Sequence, residues 1–115
     1  MIEPDKNCSK CKRLKKFRDI NIKQYPNWFN GAVPSIINKN SEILIVGLAP
    51  GLNGANKTGR PFTGDYAGLT LFHTLKKHVL LKGYYKEDGN DNLTLKNCSI
   101  TNASSNSFRK FCFCK

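Results

Sequence analysis

One short stretch constrains the fold more than any other: an apolar run, "EILIVGLA" at residues 42–49, followed directly by a glycine-rich loop. A continuous run with β-branched residues and a glycine at its end is typical of a strand buried on both faces of a parallel sheet. The loop, "GLAPGLNGANKTGRPFTGD" at residues 47–65, would then lie at the carboxyl end of that strand. Open α/β sheets place their ligand crevice at this position.

The segment after the loop favours a helix that packs on this sheet. In "YAGLTLFHTLKKHVLLKG", residues 66–83, apolar residues recur on one helical face, with Asp65 placed to cap the start and Gly83 to end it. "LTLKNCSITNA", residues 93–103, alternates well enough for a second strand. The order β-loop-α-β predicts an α/β fold with parallel strands. The residues predicted on the buried face of the helix are Leu69, Phe72, Leu75 and Val79.

Two further segments precede the strand. "KRLKKFRDINIKQ" spaces Leu14, Phe17 and Ile20 three apart between basic residues, which predicts a short amphipathic helix ended by Pro26. The stretch at residues 25–41 carries Gly, Pro and Asn around its aromatics and indicates an ordered loop. With no repeat, linker or shift in composition, the chain is predicted to be a single domain over residues 1–115.

The loop narrowly fails the pattern of a nucleotide-binding phosphate loop. In "GLNGANKT", residues 51–58, Asn56 stands where the second glycine of that pattern is required. Gly59, Pro61 and Gly64 then interrupt the helix whose N-terminus would bind the phosphate. These departures argue against a nucleotide site.

The loop's other residues suit a nucleobase in DNA. Phe62 offers a stacking face, Lys57 and Arg60 are placed to contact phosphates, and Asp65 supplies the carboxylate within the loop. The alternative is a Gly/Pro-rich turn that only joins strand to helix, with a core Phe62 and a capping Asp65.

The charge of the chain favours a polyanionic partner. Nineteen Lys and Arg against eight Asp and Glu give a formal net charge of +11, which would attract nucleic acid, although a basic chain can also be merely soluble. The charged opening "MIEPDKNCSKCKR" lacks the apolar core of a signal peptide, and no run is long enough to cross a bilayer. We therefore expect a cytoplasmic monomer in which cysteines are thiolate ligands or free thiols rather than disulfides.

Taken whole, "ILIVGLAPGLNGANKTGRPFTGDYAG" resembles the first active-site motif of the family 5 (type b) uracil-DNA glycosylases. The CxxC-x-R-L opening at Cys8 to Leu14, the "W...VP" segment ending at Pro34 and "CSITNA" at Cys98 to Ala103 are similar to further motifs of that family. The resemblance covers residues 4–103 and implies a three-layer αβα fold with a mostly parallel central sheet. Sister families carry an acidic or amide residue early in the loop, where Leu48 and Ala49 are apolar here.

The resemblance implies an enzyme that flips uracil or other deaminated bases out of DNA and hydrolyses the N-glycosidic bond. By that correspondence Phe62 would stack on the base and Asn102 would read its polar edge. Asp65 becomes the candidate for positioning water and stabilising the cationic sugar, alone or together with a capping role. The backbone lining the base pocket would come from Gly47, Leu48, Ala49, Pro50 and Gly51.

The resemblance also implies a four-iron four-sulfur cluster, with Cys8 and Cys11 as its first two ligands. By position the family's third ligand falls at Asn106, and Cys98 corresponds to a strand residue outside the cluster. The tail, residues 104–115, diverges from the family and offers Cys112 and Cys114 in a CxC of different geometry. An incomplete cluster is therefore predicted.

The family's second half, with the opposite wall of the pocket, has no counterpart in this sequence. We expect a truncated glycosylase-like domain with weak or no activity of its own, and our hypothesis for its origin is a frameshifted gene. One alternative is a small basic protein in which Cys8, Cys11, Cys112 and Cys114 hold zinc and the surface binds nucleic acid. Another is an inactive remnant with an open sheet edge and an exposed apolar face.

Overall fold

The structure, a computed structural model, describes residues 3–105 and is α/β, as predicted. Among these residues no helix is long and apolar enough to cross a membrane. In chain order the elements are α1 (Lys12–Gln24), β1 (Ile43–Gly47), α2 (Ala55–Thr58), α3 (Tyr66–Lys77), β2 (Leu81–Lys82), β3 (Thr94–Leu95) and β4 (Cys98–Asn102).

The centre of the fold is the parallel pair β1 and β4, with a register that runs from Ile43 opposite Cys98 to Gly47 opposite Asn102. This pairing confirms the predicted β-loop-α-β order. Beyond β4, an antiparallel bridge joins Ile36 to Ile100, which holds part of the 25–41 loop along the far edge of β4. Because the two strands are parallel and in register, their carboxyl ends bring Gly47 and Asn102 side by side.

The core lies between this strand pair, helix α3 and the short antiparallel pair β2–β3. Each fully buried apolar side chain contributes roughly 1.5–3 kcal/mol by leaving water. The buried cluster consists of Phe72, Leu75, Leu81, Leu95, Cys98 and Ile100.

The expectation that β1 is buried on both faces is wrong. Ile45 packs against the core cluster, whereas Leu44 and Val46 on the opposite face are 54% and 58% exposed. Within residues 3–105, no element covers that second face, and β1 is hydrogen-bonded to a strand along one edge only. An apolar run of this kind shows that a strand is suited to burial, but the covering layer must come from elsewhere in the structure.

Helix α3 is shorter than predicted. It begins after Asp65 as expected but ends at Lys77, and the chain then turns through Val79, whose φ is 61°. The turn lets Leu81 enter the core as part of β2 rather than as a further helical turn. Of the predicted buried face, Phe72 and Leu75 are buried, while Leu69 and Val79 are 44% and 72% exposed.

The predicted second strand at 93–103 is divided into β3 and β4 by a turn at Asn97, whose φ is 51°. Helix α1 spans the predicted segment and ends two residues before Pro26, as expected. Its buried positions are polar, Arg18 and Asn21, and Arg18 donates a hydrogen bond to the carbonyl of Cys8 at 2.9 Å. This contact ties the helix to the segment that carries the CxxC motif.

Candidate base-binding site

The ring of Phe62 and the side-chain amide of Asn102 meet over Gly47, at the end of β1. A β-carbon at Gly47 would overlap Asn102 Oδ1 and would lie 2.7 Å from the tip of the Phe62 ring. Only glycine leaves this space, so the glycine at the end of the strand allows an aromatic face and a polar amide to share one position. Phe62 and Asn102 are each partly exposed, as a ligand-contacting pair needs to be.

Phe62 reaches this position through an unusual backbone conformation. Its φ is 52°, in the left-handed region that non-glycine residues rarely adopt. The carbonyl of Phe62 packs against Gly68 in the first turn of α3, so closely that a β-carbon at Gly68 would overlap it. The start of the helix therefore helps to set the turn that aims the ring at Gly47.

Asp65 caps α3 with one oxygen and faces the loop with the other. Oδ1 accepts a hydrogen bond from the Gly68 amide at 2.9 Å, which confirms the capping prediction. Oδ2 lies against the turn at Gly51 and Gly54, where β-carbons would approach it to 3.0 and 2.7 Å. The carboxylate is thus held between the loop and the helix, with Gly68 touching both it and the Phe62 carbonyl.

The remaining backbone predicted to line the pocket runs from β1 into this turn. The Ala103 amide donates to the Gly47 carbonyl at 2.8 Å and the Ser104 amide donates to the Leu48 carbonyl at 3.0 Å. Pairing with the end of β4 therefore continues past the strands. Of the predicted lining residues, Leu48 is 52% exposed, Ala49 and Gly51 are half-buried, and Pro50 is buried.

The departure from a phosphate loop has a structural basis. Helix α2 is a single turn that ends at Gly59 in a left-handed conformation, so no helix of useful length starts at the glycine-rich turn. Asn56 is buried and donates through Nδ2 to Asn30 Oδ1 at 3.0 Å. In the opposite direction, the backbone amide of Asn30 donates to the backbone carbonyl of Asn56. Asn56 therefore joins the loop to the aromatic segment near residue 28 instead of contacting a phosphate.

The two predicted phosphate contacts lie in different surroundings. Lys57 is exposed on α2, with Nζ 5.7 Å from the centre of the Trp28 ring, beside an open cavity of about 380 Å³. Arg60 is directed inward and forms a bidentate ion pair with Asp91, both N–O distances being 2.7 Å. The geometry leaves Lys57 available to a polyanion and engages Arg60 within the protein.

Two residues that contact the loop, Asp91 and Tyr85, were not predicted from the sequence. The side chain of Asp91 is 1% exposed, and the hydrogen bond from Arg60 lowers the pKa of its carboxyl to about 2. Burial raises the pKa of Tyr85, whose hydroxyl accepts from the Gly64 amide at 3.1 Å. Both residues lie in a polar stretch typical of a surface turn, and no local pattern distinguishes an aspartate that pairs with an arginine 31 residues away.

The cysteines do not form a complete metal site within residues 3–105. No group of three or more His, Cys, Asp or Glu side chains in that range is placed to hold a metal ion. Cys8 and Cys11 lie half-buried at the start of α1, whereas Cys98 is fully buried in β4 with its thiol 3.6 Å from the Leu80 carbonyl. The predicted ligands Cys112 and Cys114 lie outside the described residues.

Fold and site together define an α/β protein with a candidate base pocket at the carboxyl end of a parallel strand. A sequence model of the uracil DNA glycosylase superfamily matches residues 34–110, more than half of the chain. This match includes β1, the glycine-rich loop, α3 and β4. The chain therefore belongs to the uracil-DNA glycosylase superfamily.

Curated relatives narrow the comparison to one branch of that superfamily. The chain is 34% identical to a type-5 uracil-DNA glycosylase of Pyrobaculum aerophilum in a 101-residue alignment that covers 84% of this chain and 45% of the relative. It is 35% identical to one of Mycobacterium tuberculosis over 101 residues, 82% of this chain and 37% of the relative. A 74-residue match to one of Thermus thermophilus, at 39% identity, covers 59% of this chain and 33% of that protein.

The chain thus spans less than half the length of the curated relatives it matches. The similarity to type-5 enzymes agrees with the family predicted from the glycine-rich loop.

Proposed function

We propose that this chain forms one wall of the base pocket of a DNA repair glycosylase that removes uracil, and other deaminated bases, from DNA. The observation that carries the proposal is the meeting of the Phe62 ring and the Asn102 amide over Gly47. An aromatic face and an amide at the end of a strand are what recognition of an extruded base requires. The type-5 uracil-DNA glycosylases named above support the same reading.

In the proposed site the two side chains have separate tasks. The Phe62 ring stacks on the flipped base, a contact that any base can make. The Asn102 amide offers both a donor and an acceptor, so it can bind the carbonyl and N–H edge of uracil. Because a β-carbon at residue 47 would overlap Asn102 Oδ1 and crowd the ring, Gly47 is part of the recognition surface.

Asp65 is the proposed source of electrostatic stabilisation. As the N-glycosidic bond breaks, the sugar becomes cationic and the base departs as an anion. One carboxylate oxygen is engaged at Gly68, and the other faces the Gly51–Gly54 turn, where it would hold a water molecule or face the sugar. The helix cap fixes the carboxylate so that it need not reorganise during the reaction.

The charge of the chain supports DNA as the partner. A net charge of +11 favours binding to a phosphate backbone with an affinity that falls as salt rises. Lys57 is the proposed phosphate contact within the loop. For a DNA repair role we propose the cytoplasmic location expected from the sequence.

The iron–sulfur site implied by the family resemblance would be built on Cys8 and Cys11. Residues 3–105 do not supply a full set of four thiolates, and both an iron–sulfur site and a zinc site would need ligands from outside that range. No step of the proposed reaction depends on either metal.

The proposal is tested with a labelled duplex that contains one uracil, incubated with excess protein and then treated with alkali to cleave abasic sites. We expect slow cleavage at the uracil and none in a thymine duplex. Asn102→Ala should reduce the single-turnover rate at least about tenfold, since a buried hydrogen bond to the base is lost.

The matched control is Asn40→Ala, which removes an exposed asparagine in the turn before β1. It should leave the rate unchanged. Equal rates for wild type, Asn40→Ala and Asn102→Ala, or no abasic product at any protein concentration, would contradict the proposed function of this chain.

A further inference from the structure

We infer that Arg60, Asp91 and Tyr85 form a brace that positions Phe62 at the base pocket, and that Arg60 acts within the protein rather than on a DNA phosphate. The use of Phe62 as a stacking residue rests on the proposed function. The position of the Phe62 ring does not depend on the proposed function, and it can be measured separately.

The first part of the brace closes the turn that contains Phe62. Arg60 Nε donates to Thr63 Oγ1 at 2.8 Å, and Thr63 Oγ1 donates to the Pro61 carbonyl at 3.1 Å. Thr63 is fully buried, as is Pro61. The residues on both sides of Phe62 are thus held together by side-chain hydrogen bonds, which keeps its backbone in the left-handed conformation that it would otherwise leave.

The second part joins this turn to the segment between β2 and β3. Both terminal nitrogens of Arg60 bind the Asp91 carboxylate, and the guanidinium carbon lies 5.6 Å from the centre of the Phe72 ring and 5.8 Å from that of Tyr85. All three guanidinium nitrogens of Arg60 therefore have partners inside the protein. A planar guanidinium that forms paired hydrogen bonds holds one orientation, which the ammonium group of a lysine does not.

Asp91 is itself held by its own loop. Oδ2 also accepts from the Lys86 amide at 2.8 Å, and Oδ1 accepts from the Leu93 amide at 3.2 Å. Each oxygen thus receives one guanidinium and one backbone donor, which satisfies a carboxylate that is 1% exposed. The segment at 86–93 is thereby fixed in shape and can serve as an anchor.

The third part reaches the other side of Phe62. The Gly64 amide donates to the Tyr85 hydroxyl at 3.1 Å, so the segment between β2 and β3 holds the chain both before and after the aromatic residue. The ring of Phe62 lies over Gly47 and beside Asn102, and the anchored Arg60 and Gly64 would hold it there. Small errors in such a position cost catalytic rate rather than binding.

The position of Phe62 is measured by fluorine NMR of protein labelled with 4-fluorophenylalanine, the Phe62 signal being assigned with Phe62→Leu. Asp91→Asn keeps the shape of the carboxylate and removes its charge, and Arg60→Gln removes the fork. We expect both to move or broaden the Phe62 signal while the Phe17 signal in α1 stays in place. An unchanged Phe62 signal in both variants would overturn the brace.

A milder variant keeps the test decisive if either substitution unfolds the protein. Tyr85→Phe retains the ring and removes only the hydroxyl bound to Gly64. It should shift the Phe62 signal in the same direction and lower the uracil-excision rate about tenfold or more with unchanged DNA affinity. An unshifted signal in folded Tyr85→Phe protein would likewise contradict the inference.

DNA binding separates the brace from a phosphate contact. Lys57→Gln and Arg60→Gln each remove one cation from the same loop, so they form a matched pair. For an undamaged duplex, Lys57→Gln should reduce the slope of log affinity against log salt by about 1, whereas Arg60→Gln should leave it unchanged. An equal reduction by Arg60→Gln would assign Arg60 to phosphate and overturn our proposal.

The two proposals fail in different ways. If the Phe62 signal responds to the brace variants while wild-type protein excises no uracil, the brace stands and the proposed function fails. If wild type excises uracil but the Phe62 signal and the rate are indifferent to the brace variants, the function stands and the brace fails.

Discussion

At the scale of single residues, Asp65 combines a structural and a proposed chemical role that substitution can separate. Asn caps a helix about as well as Asp, whereas Ala removes the cap at a cost of about 1 kcal/mol. We expect Asp65→Asn to retain the wild-type midpoint in urea and Asp65→Ala to lose about 1 kcal/mol. Both should lose uracil excision, because neither retains the carboxylate. Full excision by Asp65→Asn would confine Asp65 to capping.

A second residue-scale prediction concerns the pH dependence of the Arg60–Asp91 pair. Because the folded pKa of Asp91 is lowered to about 2, its stabilisation is fully present above the unfolded pKa near 4 and is lost as pH falls through about 2. The difference corresponds to about 2 kcal/mol. Arg60 is the charged group that faces Asp91, with Tyr85 beside the guanidinium.

Urea unfolding of wild type and Asp91→Asn between pH 5 and pH 2 tests this difference. The stability advantage of wild type should be constant above about pH 4.5 and should shrink steadily below it as Asp91 becomes protonated. The other carboxylates titrate in both proteins, so their effects cancel in the difference. A constant gap down to pH 2 would mean that Asp91 does not titrate with the depressed pKa.

At the scale of elements, the register of α3 predicts which of its apolar residues carry stability. Phe72 is 1% exposed in the core, whereas Leu69 on the same helix is 44% exposed. Phe72→Ala should cost about 3–5 kcal/mol, while Leu69→Ala should stay within about 0.5 kcal/mol. Thermal unfolding followed by circular dichroism measures both. Equal losses would place Leu69 in a contact that the described residues do not show.

The sequence predicted this helix only in part, for a physical reason. Apolar spacing and the cap at Asp65 were sufficient to locate its start and its buried face near Phe72. The apolar periodicity continues past Lys77, but the helix ends there because Leu81 enters the core as part of β2. This is a tertiary contact, which local helix propensity does not encode.

The candidate site, like the helix, could be predicted from the sequence only in part. Gly47, Phe62 and Asp65 follow from the loop and the family resemblance, whereas Asp91 and Tyr85 do not. Their function depends on contacts with Arg60 and Gly64 across 31 and 21 residues of chain, and no local pattern marks such a pairing.

At the scale of the whole molecule, an exposed apolar strand face and a large positive charge act in opposite directions. Leu44 and Val46 project from the uncovered face of β1, and Leu48 follows them at 52% exposure. A face of this kind favours association of two copies, as does a strand edge without charged residues. A net charge of +11 on each copy opposes that association.

The salt concentration should therefore decide whether the protein self-associates. The Debye length falls from about 30 Å at 0.01 M to about 3 Å at 1 M, so salt screens the repulsion between two copies. We expect a monomer at low salt and growing light scattering as salt rises, while Leu44→Lys/Val46→Lys protein remains monomeric with unchanged stability. Ile45→Lys on the inner face of the same strand is the control, and it should unfold the domain because Ile45 packs on the core. Association that persists in the double lysine variant would show that another surface drives it, and the open face of β1 would then have no part in self-association.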